Sequence, residues 1–217
     1  MDYKLQNTIN KINIKNLTEN EISKVVDLQK ESFADMSIYS LTWSSSSLRN
    51  HIRLFPQGQL YAEFEGRLIG SCSSLIVSLK SDYEDHTWSD ITEVGSFSNH
   101  NPNGDSLYGA DISVHPDFRH RGIATMLYNS RRNLAIKLNL RRIIAGGRLF
   151  DYCKYANLMS ADEYAKKVAN GELKDPVLSF QLKNGFKVIK ILPNYLYDKR
   201  SLNYASFVEW LNPNYKI

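Results

Sequence analysis

Residues 107–138 read LYGADISVHPDFRHRGIATMLYNSRRNLAIKL, and this stretch decides the fold that we predict. The apolar run from Leu107 to Val114 predicts a strand, and the amphipathic pattern from about Arg121 to Leu138 predicts a helix. The first N–H groups of a helix lack intrahelical partners and carry partial positive charge. The junction between this strand and this helix is therefore a typical place for an anion to bind.

The residues of the junction suit a phosphate or a pyrophosphate. Gly122 and Ala124 are small enough to let an anion approach the backbone closely, and Arg119 and Arg121 add positive charge. A cluster of basic side chains is also typical of a solvated helix face. Its position at the predicted helix start favours the anion site.

The pattern Arg-x-x-Gly-x-Ala at 119–124, after a strand ending in Val-His-Pro, resembles the acetyl-CoA motif of the GNAT superfamily of N-acyltransferases. A second segment, FQLKNGF at 180–186, resembles the helix-then-strand segment near the C-terminus of that family. The runs HTWSDIT, LYGADISVHPDFR, RRIIAGGR, KYANLMSADEY and DPVLSFQLKNGF are similar to the acetyltransferase domain that is fused to nitrilase-type carbon–nitrogen hydrolases. Because no hydrolase segment is present in 217 residues, the resemblance implies a stand-alone version.

The order of predicted strands and helices follows the architecture that the resemblance implies over nearly the whole chain. That architecture is an α+β fold with a central mixed, mostly antiparallel sheet of about seven strands, splayed in the middle and flanked by helices. We expect residues 1–217 to form a single GNAT N-acetyltransferase domain, with an inserted loop at about 81–105 and an inserted helical segment at about 148–175.

Several local signals set the expected boundaries of these elements. Glu65-Gly66 predicts a two-residue hairpin turn, and Thr18 and Ser160 each begin a capping box that predicts a helix start. Gly146-Gly147 is expected to end a buried strand and permit a bend. Within the loop at 81–105, the run SFSNHNPNGD is expected to be disordered, whereas the run HTWSDIT suits a lid or a short helix anchored by Trp88.

Composition narrows the class of protein. Hydrophobic residues make up 42% and charged residues 23% of the chain, as in an ordinary globular domain, and the formal net charge of +4 does not by itself indicate a nucleic-acid binder. Two cysteines permit neither a disulfide framework nor a four-cysteine zinc site. No run approaches the roughly 20 apolar residues of a membrane helix. We expect a cytoplasmic protein with no metal, no nucleic-acid partner and no membrane association.

The resemblance implies acetyl-CoA as cosubstrate. Backbone groups of the central strand would pair with the pantetheine arm as an added strand would, and one N–H near Val114 would polarise the thioester carbonyl. Amides at the helix start would hold the pyrophosphate. The cofactor-binding residues implied in this way are Ile112, Ser113, Val114, Arg119, His120, Arg121, Gly122, Ile123, Ala124, Thr125 and Gln181.

The expected reaction is direct attack of a primary amine on acetyl-CoA in a ternary complex. An amine with a pKa of about 10.4 needs a base at neutral pH, and Asp111 is the candidate because it lies within an apolar run. Family members commonly place a tyrosine acid where this chain has Gln181, which cannot easily donate a proton. Tyr155 is the candidate replacement for that acid, with Tyr152 beside it.

Other readings of the sequence remain open at this stage. The same fold can hold an acyl-CoA as a sensor or scaffold without turnover, and Gln181 favours that alternative. An RNA-binding role for the basic helix would require aromatic platforms that the sequence does not offer. The expected partner is an amine on a small molecule or a protein, to which acidic residues at 82–93 add attraction, and a homodimer is a possible assembly.

Overall fold

The computed structural model describes residues 11–34, 42–79 and 83–216. Its strands are β1 (Ile12–Asn16), β2 (Gln59–Phe64), β3 (Arg67–Val77), β4 (Ser106–Val114), β5 (Arg142–Arg148), β6 (Lys187–Leu192) and β7 (Ala205–Leu211). Its helices are α1 (Ile22–Ser32), α2 (Ser45–Leu54), α3 (Trp88–Thr92), α4 (Ile123–Lys137), α5 (Ala161–Ala169) and α6 (Leu178–Lys183). The seven strands form one sheet in the order β1-β2-β3-β4-β5-β7-β6. The predicted α+β architecture is confirmed.

The two faces of the sheet are covered by different helices. Successive side chains of a strand point to opposite faces, so Tyr108 of β4 packs with the side chains of α1 and α2, whereas Leu107 packs with those of α4, α5 and α6. A third apolar cluster joins the start of α4, at Ile123 and Leu127, to β1, β2 and β3. The amphipathic patterns of the sequence therefore resolve into layers above and below one sheet.

The sheet parts in its middle, as the resemblance implied. The strands β4 and β5 run parallel and pair only at Ser106↔Arg142, Leu107↔Ile143 and Tyr108↔Ile144. On its other side β4 stays paired with β3 as far as Val114, across a bulge, and β5 stays paired with β7 along its whole length. The two halves of the sheet therefore open away from each other after Tyr108.

The prediction that Gly146-Gly147 ends the fifth strand is wrong. The strand β5 continues through both glycines to Arg148, and they pair with Phe207 and Ser206 of β7. Their role is to admit other residues: a Cβ on Gly146 would lie 2.3 Å from the Tyr195 hydroxyl oxygen, and one on Gly147 would lie 2.3 Å from an amide oxygen of Gln181. These glycines therefore allow side chains to approach the backbone, and no bend is made there.

The segment from Tyr83 to Asp105 is anchored to the rest of the fold. Thr87 and Asp90 form a reciprocal cap at the start of α3, which confirms the expected short helix. Further along, the Asn101 N–H donates to the Ile76 carbonyl oxygen at 2.9 Å, and the Ile76 N–H donates to the His100 ring at 3.1 Å. This part of the insertion therefore packs as a cover along one edge of β3, and the expected disorder does not apply to it.

The remaining boundaries follow the sequence signals closely. Glu65 and Gly66 both have positive φ, as a two-residue hairpin requires. The Ser160 hydroxyl caps α5, and the Asp175 carboxylate accepts the N–H groups of Val177 and Leu178 just before α6. Within the described ranges, no helix has both the length and the apolar content to cross a membrane.

Candidate active site

A cavity of about 360 Å³ occupies the space between the parted strands. It is lined by residues 109–114 of β4 and 145–148 of β5, by the first half of α4 and by α6, and two tryptophans, Trp43 and Trp88, also line it. Pockets of about 300 to 1,000 Å³ are typical of small-molecule sites. The parting of the sheet therefore creates the candidate site.

One edge of the β4 backbone faces this cavity. The His115 N–H donates to the Ile69 carbonyl oxygen at 2.9 Å. Because hydrogen-bonded pairs alternate along an antiparallel ladder, the next hydrogen-bonded pair of β3 and β4 is Ser71↔Ser113. The alternate residues, Ile112 and Val114, therefore direct their N–H and C=O groups away from β3 and toward the cavity. Ser113 turns its backbone groups to β3.

Side chains already satisfy part of that edge. The Val114 carbonyl oxygen accepts from the Ser32 hydroxyl at 3.1 Å and from the Arg119 Nε at 3.5 Å. The Ser113 hydroxyl meets the Ser71 hydroxyl at 2.9 Å. Of the strand residues expected to pair with a ligand, Ile112 and Val114 are thus correctly oriented, whereas Ser113 contributes to the cavity wall without presenting its backbone.

The start of α4 presents uncapped amides next to this edge. Gly122 is the cap residue, with φ +80°, and it has no side chain with which to cap the helix. A Cβ built on Gly122 would meet nothing within 4 Å, so the space in front of the helix is open. The N–H groups of Ile123, Ala124 and Thr125 have no intrahelical acceptors at this position. His120, also left-handed at φ +62°, turns the chain into the helix.

The two arginines of the loop shape it through their side chains. Arg119 donates to the Ser32 carbonyl oxygen at 2.9 Å, which ties the loop to the end of α1. Arg121 donates to the Asp117 carbonyl oxygen at 2.9 Å and lies 5.0 Å from the centre of the Phe118 ring. Both guanidinium groups thus stabilise the loop while keeping their charge beside the helix start.

Asp111 lies at the wall of the cavity and is held on both oxygens. One carboxylate oxygen accepts the Ser73 N–H at 2.8 Å, and the other accepts the Gln29 side-chain amide at 3.0 Å. Burial raises the pKa of Asp111 above its ordinary value, and the nearby Arg131 guanidinium opposes this shift. Asp111 therefore accepts a proton more readily than an exposed carboxylate does.

Arg131 supports this arrangement from beneath the sheet. It is only 1% exposed, although it belongs to α4. Its Nε donates to the Ser74 hydroxyl at 2.9 Å, and its Nη2 donates to the carbonyl oxygens of Ser73, at 2.7 Å, and Asp111. The sequence interpretation missed this residue, although its spacing, four residues after Leu127 on the apolar stripe, was a signal of burial.

Gln181 is brought to the cavity by α6, as the resemblance implied. It is 3% exposed, and its side-chain oxygen accepts from the Ser206 hydroxyl at 3.3 Å. The side chain rests against the backbone of Gly147. An amide in this position donates and accepts hydrogen bonds but holds no proton that it can give to a leaving group.

The geometry is matched by comparisons with known proteins. The model of the acetyltransferase (GNAT) family matches residues 23–151. The chain belongs to the GNAT family of acetyltransferases. The resemblance inferred from residues 119–124 and 180–186 is confirmed at this level, and with it the expectation of an acyltransferase. The likeness to a domain fused to nitrilase-type hydrolases stays a prediction.

Two curated proteins of Bacillus subtilis (strain 168) are similar to this GNAT chain. The uncharacterized N-acetyltransferase YkwB is 44% identical over 205 residues, which cover 94% of this chain and 91% of YkwB. The probable hydrolase YhcX is 47% identical over 207 residues, which cover 94% of this chain and 39% of YhcX. The chain thus spans about two fifths of the length of YhcX and nearly all of YkwB.

Solved structures confirm the GNAT fold. The loading GNATL domain of CurA from Lyngbya majuscula superposes with a TM-score of 0.80 at 18% identity, covering 93% of this chain and 98% of that one. The GphF GNAT-like decarboxylase, solved with isobutyryl-CoA, gives 0.74 at 17% identity, covering 92% and 99%. The acetyltransferase yncA of Salmonella typhimurium, solved with acetyl-CoA, gives 0.58 at 10% identity, covering 95% and 97%. At these identities the likeness shows the fold alone.

The structure of this GNAT protein does not bring Tyr155 to the cavity. Tyr155 packs against Tyr164 of α5, with the ring centres 5.2 Å apart, and it is not among the lining residues. Tyr152 is buried and donates to the Met159 carbonyl oxygen. Both tyrosines therefore pack in the apolar cluster that joins α4, α5 and α6 to the sheet.

Three aromatic side chains that the sequence interpretation did not assign to the chemistry line the cavity instead. Tyr195 reaches it from the loop between β6 and β7, and its hydroxyl is hydrogen-bonded to that of buried Tyr108. Trp43 and Trp88 stack on each other with their ring centres 5.1 Å apart. Trp43 is a core residue, only 4% exposed, that also lines the cavity.

The acidic residues of the inserted loop have local partners. Asp85 pairs with Lys190 at 2.8 Å, and Asp90 accepts the Thr87 N–H at 2.9 Å. Two residues that the sequence suggested as substrate contacts, Asp82 and Tyr39, lie outside the described residues. Within the described part of the chain, no three His, Cys, Asp or Glu side chains are grouped so that they could hold a metal ion.

Proposed function

We propose that this chain is an acetyl-CoA-dependent N-acetyltransferase that transfers an acetyl group to a primary amine within a ternary complex. The observation that carries the proposal is the parting of β4 from β5 after Tyr108. In the described part of the chain, it leaves Ile112 and Val114 of β4 with no neighbouring strand on the cavity side, and this edge leads directly to the uncapped start of α4. A ligand with an amide-bearing arm and a diphosphate fits both features at once.

The arm of the donor fits along β4. The cavity-facing groups of Ile112 and Val114 would pair with its amides as an added strand does. The diphosphate would then meet the N–H groups of Ile123, Ala124 and Thr125, in the open space before Gly122. Since a strand advances about 3.3 Å per residue, the four steps from Val114 back to Ala110 cover about 13 Å. The acyl end of the donor would lie near Ala110 and Asp111, so the Val114 N–H would pair with the pantetheine arm and not, as the resemblance implied, with the thioester carbonyl.

Asp111 would remove the proton from the attacking amine. A primary amine is mostly protonated near neutral pH, so it must lose a proton before its nitrogen can attack the thioester carbonyl. Attack forms the carbon–nitrogen bond and breaks the carbon–sulfur bond, and the thiolate leaves with the bonding electron pair. The nitrogen then loses a second proton to give the neutral amide, so that of the two protons removed one passes to the thiolate and the other to solvent.

Two other groups would assist the leaving thiolate without giving up a proton. Burial raises the pKa of Tyr195, so this phenol keeps its proton and contributes a hydrogen bond. Gln181 can likewise donate a hydrogen bond from its side-chain amide. The thiolate of CoA needs only modest help of this kind, because thiols with a pKa of about 8.5 leave without strong acid catalysis.

Gln181 also favours a second candidate function, an acyl-CoA sensor or scaffold of the same fold. Such a protein would bind the donor in the same cleft and would release no thiol. Its site would need the diphosphate seat and the β4 edge but not the carboxylate of Asp111. The two functions therefore differ in one measurable product.

Thiol release separates these candidates. The protein would be incubated with acetyl-CoA or isobutyryl-CoA and a panel of primary amines, and CoA binding would be measured in parallel by calorimetric titration. Thiol release that requires an amine is the expected result. Binding without release would establish the sensor, and absence of CoA binding would overturn both proposals.

A further inference from the structure

A set of contacts spans the gap between β4 and β5 just beyond their last pair. The Trp88 indole N–H donates to the Ala110 carbonyl oxygen of β4 at 3.1 Å. The Trp88 backbone N–H donates to the Tyr195 carbonyl oxygen at 2.8 Å. The Tyr195 phenol in turn lies against Gly146 of β5. We call this connection from Ala110 to Gly146 the Trp88 bridge.

The Trp88 bridge is supported on all sides. Trp43 stacks on the Trp88 ring, and Trp43 is itself enclosed by the edge-on rings of His51 and Phe97, at 4.8 and 5.5 Å. The Tyr195 N–H donates to the Asn203 carbonyl oxygen at 2.9 Å. Moving the Trp88 indole would therefore disturb a stack of aromatic rings as well as its own hydrogen bond to the Ala110 carbonyl oxygen.

The position of the bridge relates it to the acyl group. The diphosphate seat lies at the Val114 end of the cleft, and the bridge crosses the cleft at its Ala110 end. A donor lying along β4 would therefore direct its acyl chain at the Trp88 indole. The carboxylate of Asp111 lies next to Ala110, so the reacting carbonyl would lie immediately in front of the bridge.

We propose that the Trp88 bridge limits the length of the acyl chain, and that Trp88 is a specificity-determining residue that selects short acyl-CoA donors. This inference rests on the proposed function, because it places the donor in the same cleft. A longer chain would have to displace the indole from Ala110 and from Trp43. In a tightly packed apolar pocket, each methylene changes the specificity constant by about 10- to 200-fold.

The first test uses the unaltered protein. Straight-chain donors from acetyl-CoA to octanoyl-CoA would be compared for binding by calorimetric titration and for kcat/KM in the thiol-release assay, with free CoA as reference. We expect hexanoyl-CoA to be used at least about 10-fold less efficiently than acetyl-CoA. Equal use of all chain lengths would overturn the inference.

The second test opens the pocket. Trp88→Ala removes the indole, and Trp88→Leu keeps an apolar side chain if the alanine variant proves unstable in thermal unfolding. We expect either variant to reduce the preference for acetyl-CoA over hexanoyl-CoA by about 10-fold or more. Trp210→Ala is the matched control, since Trp210 lies on β7 outside the cavity lining. A folded Trp88 variant with an unchanged preference would contradict the proposal.

Binding of free CoA distinguishes a failure of the proposed function from a failure of the chain-length inference. If the unaltered protein does not bind CoA, the proposed function and this inference are both wrong. Normal CoA binding with no effect of chain length would defeat the inference alone, and the proposed transferase would stand.

Discussion

Asp111 is held by groups from three different elements, which are Gln29 of α1, Ser73 of β3 and Arg131 of α4. A carboxylate inside a protein is costly unless such partners are present. The arrangement keeps the charge available at the cavity wall while restricting its orientation. At this scale the site is a buried polar network with one face open to the substrate.

Replacing Asp111 tests the proposed base. We expect Asp111→Asn to lower kcat by about 100-fold or more, the usual contribution of a general base, while CoA affinity changes little. Asp105→Asn is the matched control, since Asp105 precedes the same strand but faces Arg141, 4.0 Å away, outside the cavity. Equal activity of both variants would remove Asp111 from the mechanism.

The raised pKa of Asp111 predicts opposite effects of pH on activity and stability. In the folded state the protonated form is favoured, so the stability contribution is present below the unfolded pKa and is lost as pH rises through the raised folded pKa. The rate should rise over the same window as the base ionises. Thermal unfolding and kcat/KM would be followed against pH, and Asp111→Asn should show neither trend.

At the scale of elements, the start of α4 carries the binding prediction. Gly122→Asp should abolish CoA binding, because a negative side chain would enter the diphosphate seat. Gly171→Asp is the matched control: it has the same φ of +80° and the same open surroundings, but it follows α5. Calorimetric titration of both variants decides the matter, since the shared backbone strain cancels in the comparison.

Arg121→Glu is a second change in the same loop. It reverses the charge beside the helix start and removes the donor to the Asp117 carbonyl oxygen. We expect loss of CoA binding with a fold that remains intact, judged by an unchanged far-ultraviolet circular dichroism spectrum. The control is Arg132→Glu. Arg132 lies on α4, the helix that follows this loop, and it donates to the Asn184 carbonyl oxygen, so this variant should retain binding.

Burial of His51 in α2 predicts that the protein loses stability at low pH. Burial lowers its pKa from 6.5 to about 4, although its hydrogen bond to the Gly95 carbonyl opposes this shift. Stability is therefore fully present above the unfolded pKa and is lost as pH falls from about 6.5 to about 4, by about 3 kcal/mol in total. His51→Gln should flatten this loss in thermal unfolding, and an unchanged slope would contradict it.

The elements were largely predictable because their signals are local. The caps at Ser44, Ser160 and Asp175, the Glu65-Gly66 turn and the Gly122 helix start each involve neighbours a few residues apart. Gly146 and Gly147 were misread because their meaning is not local. Their missing side chains make room for Tyr195 and Gln181, which follow tens of residues later.

At the scale of the whole molecule, the fold class and the loop that leads into α4 could be predicted, whereas the residues at the Ala110 end of the cavity could not. Arg131, Trp88 and Tyr195 meet there from three elements that are far apart in sequence. Tyrosine is also too frequent in this chain, with 13 copies, for composition to single out Tyr195. The sequence interpretation chose Tyr155 for its position after β5, and only packing shows that it lies against Tyr164 and outside the cavity lining.

Binding of the donor should stabilise the whole molecule. With CoA at about 100 times its dissociation constant, the linkage contributes about 2.7 kcal/mol to the free energy of unfolding. For a domain of this size, that raises the Tm by about 5 to 11 °C. Differential scanning calorimetry with and without CoA measures the shift, and the Gly122→Asp variant should show none.

The short parallel ladder between β4 and β5 divides the sheet into two ribbons, each made from one continuous part of the chain: residues 12–114 and residues 142–211. Backbone pairing between the two ribbons consists of three residue pairs of β4 and β5, and the helix α4 crosses from one ribbon to the other. A thioester carrier bound between β4 and β5 would supply the backbone hydrogen bonds that these two strands do not make with each other beyond Tyr108. The bound carrier would then act as a temporary eighth strand. The amide hydrogens of β4 and β5 that face the cavity would exchange with solvent more slowly in the complex than in the free protein.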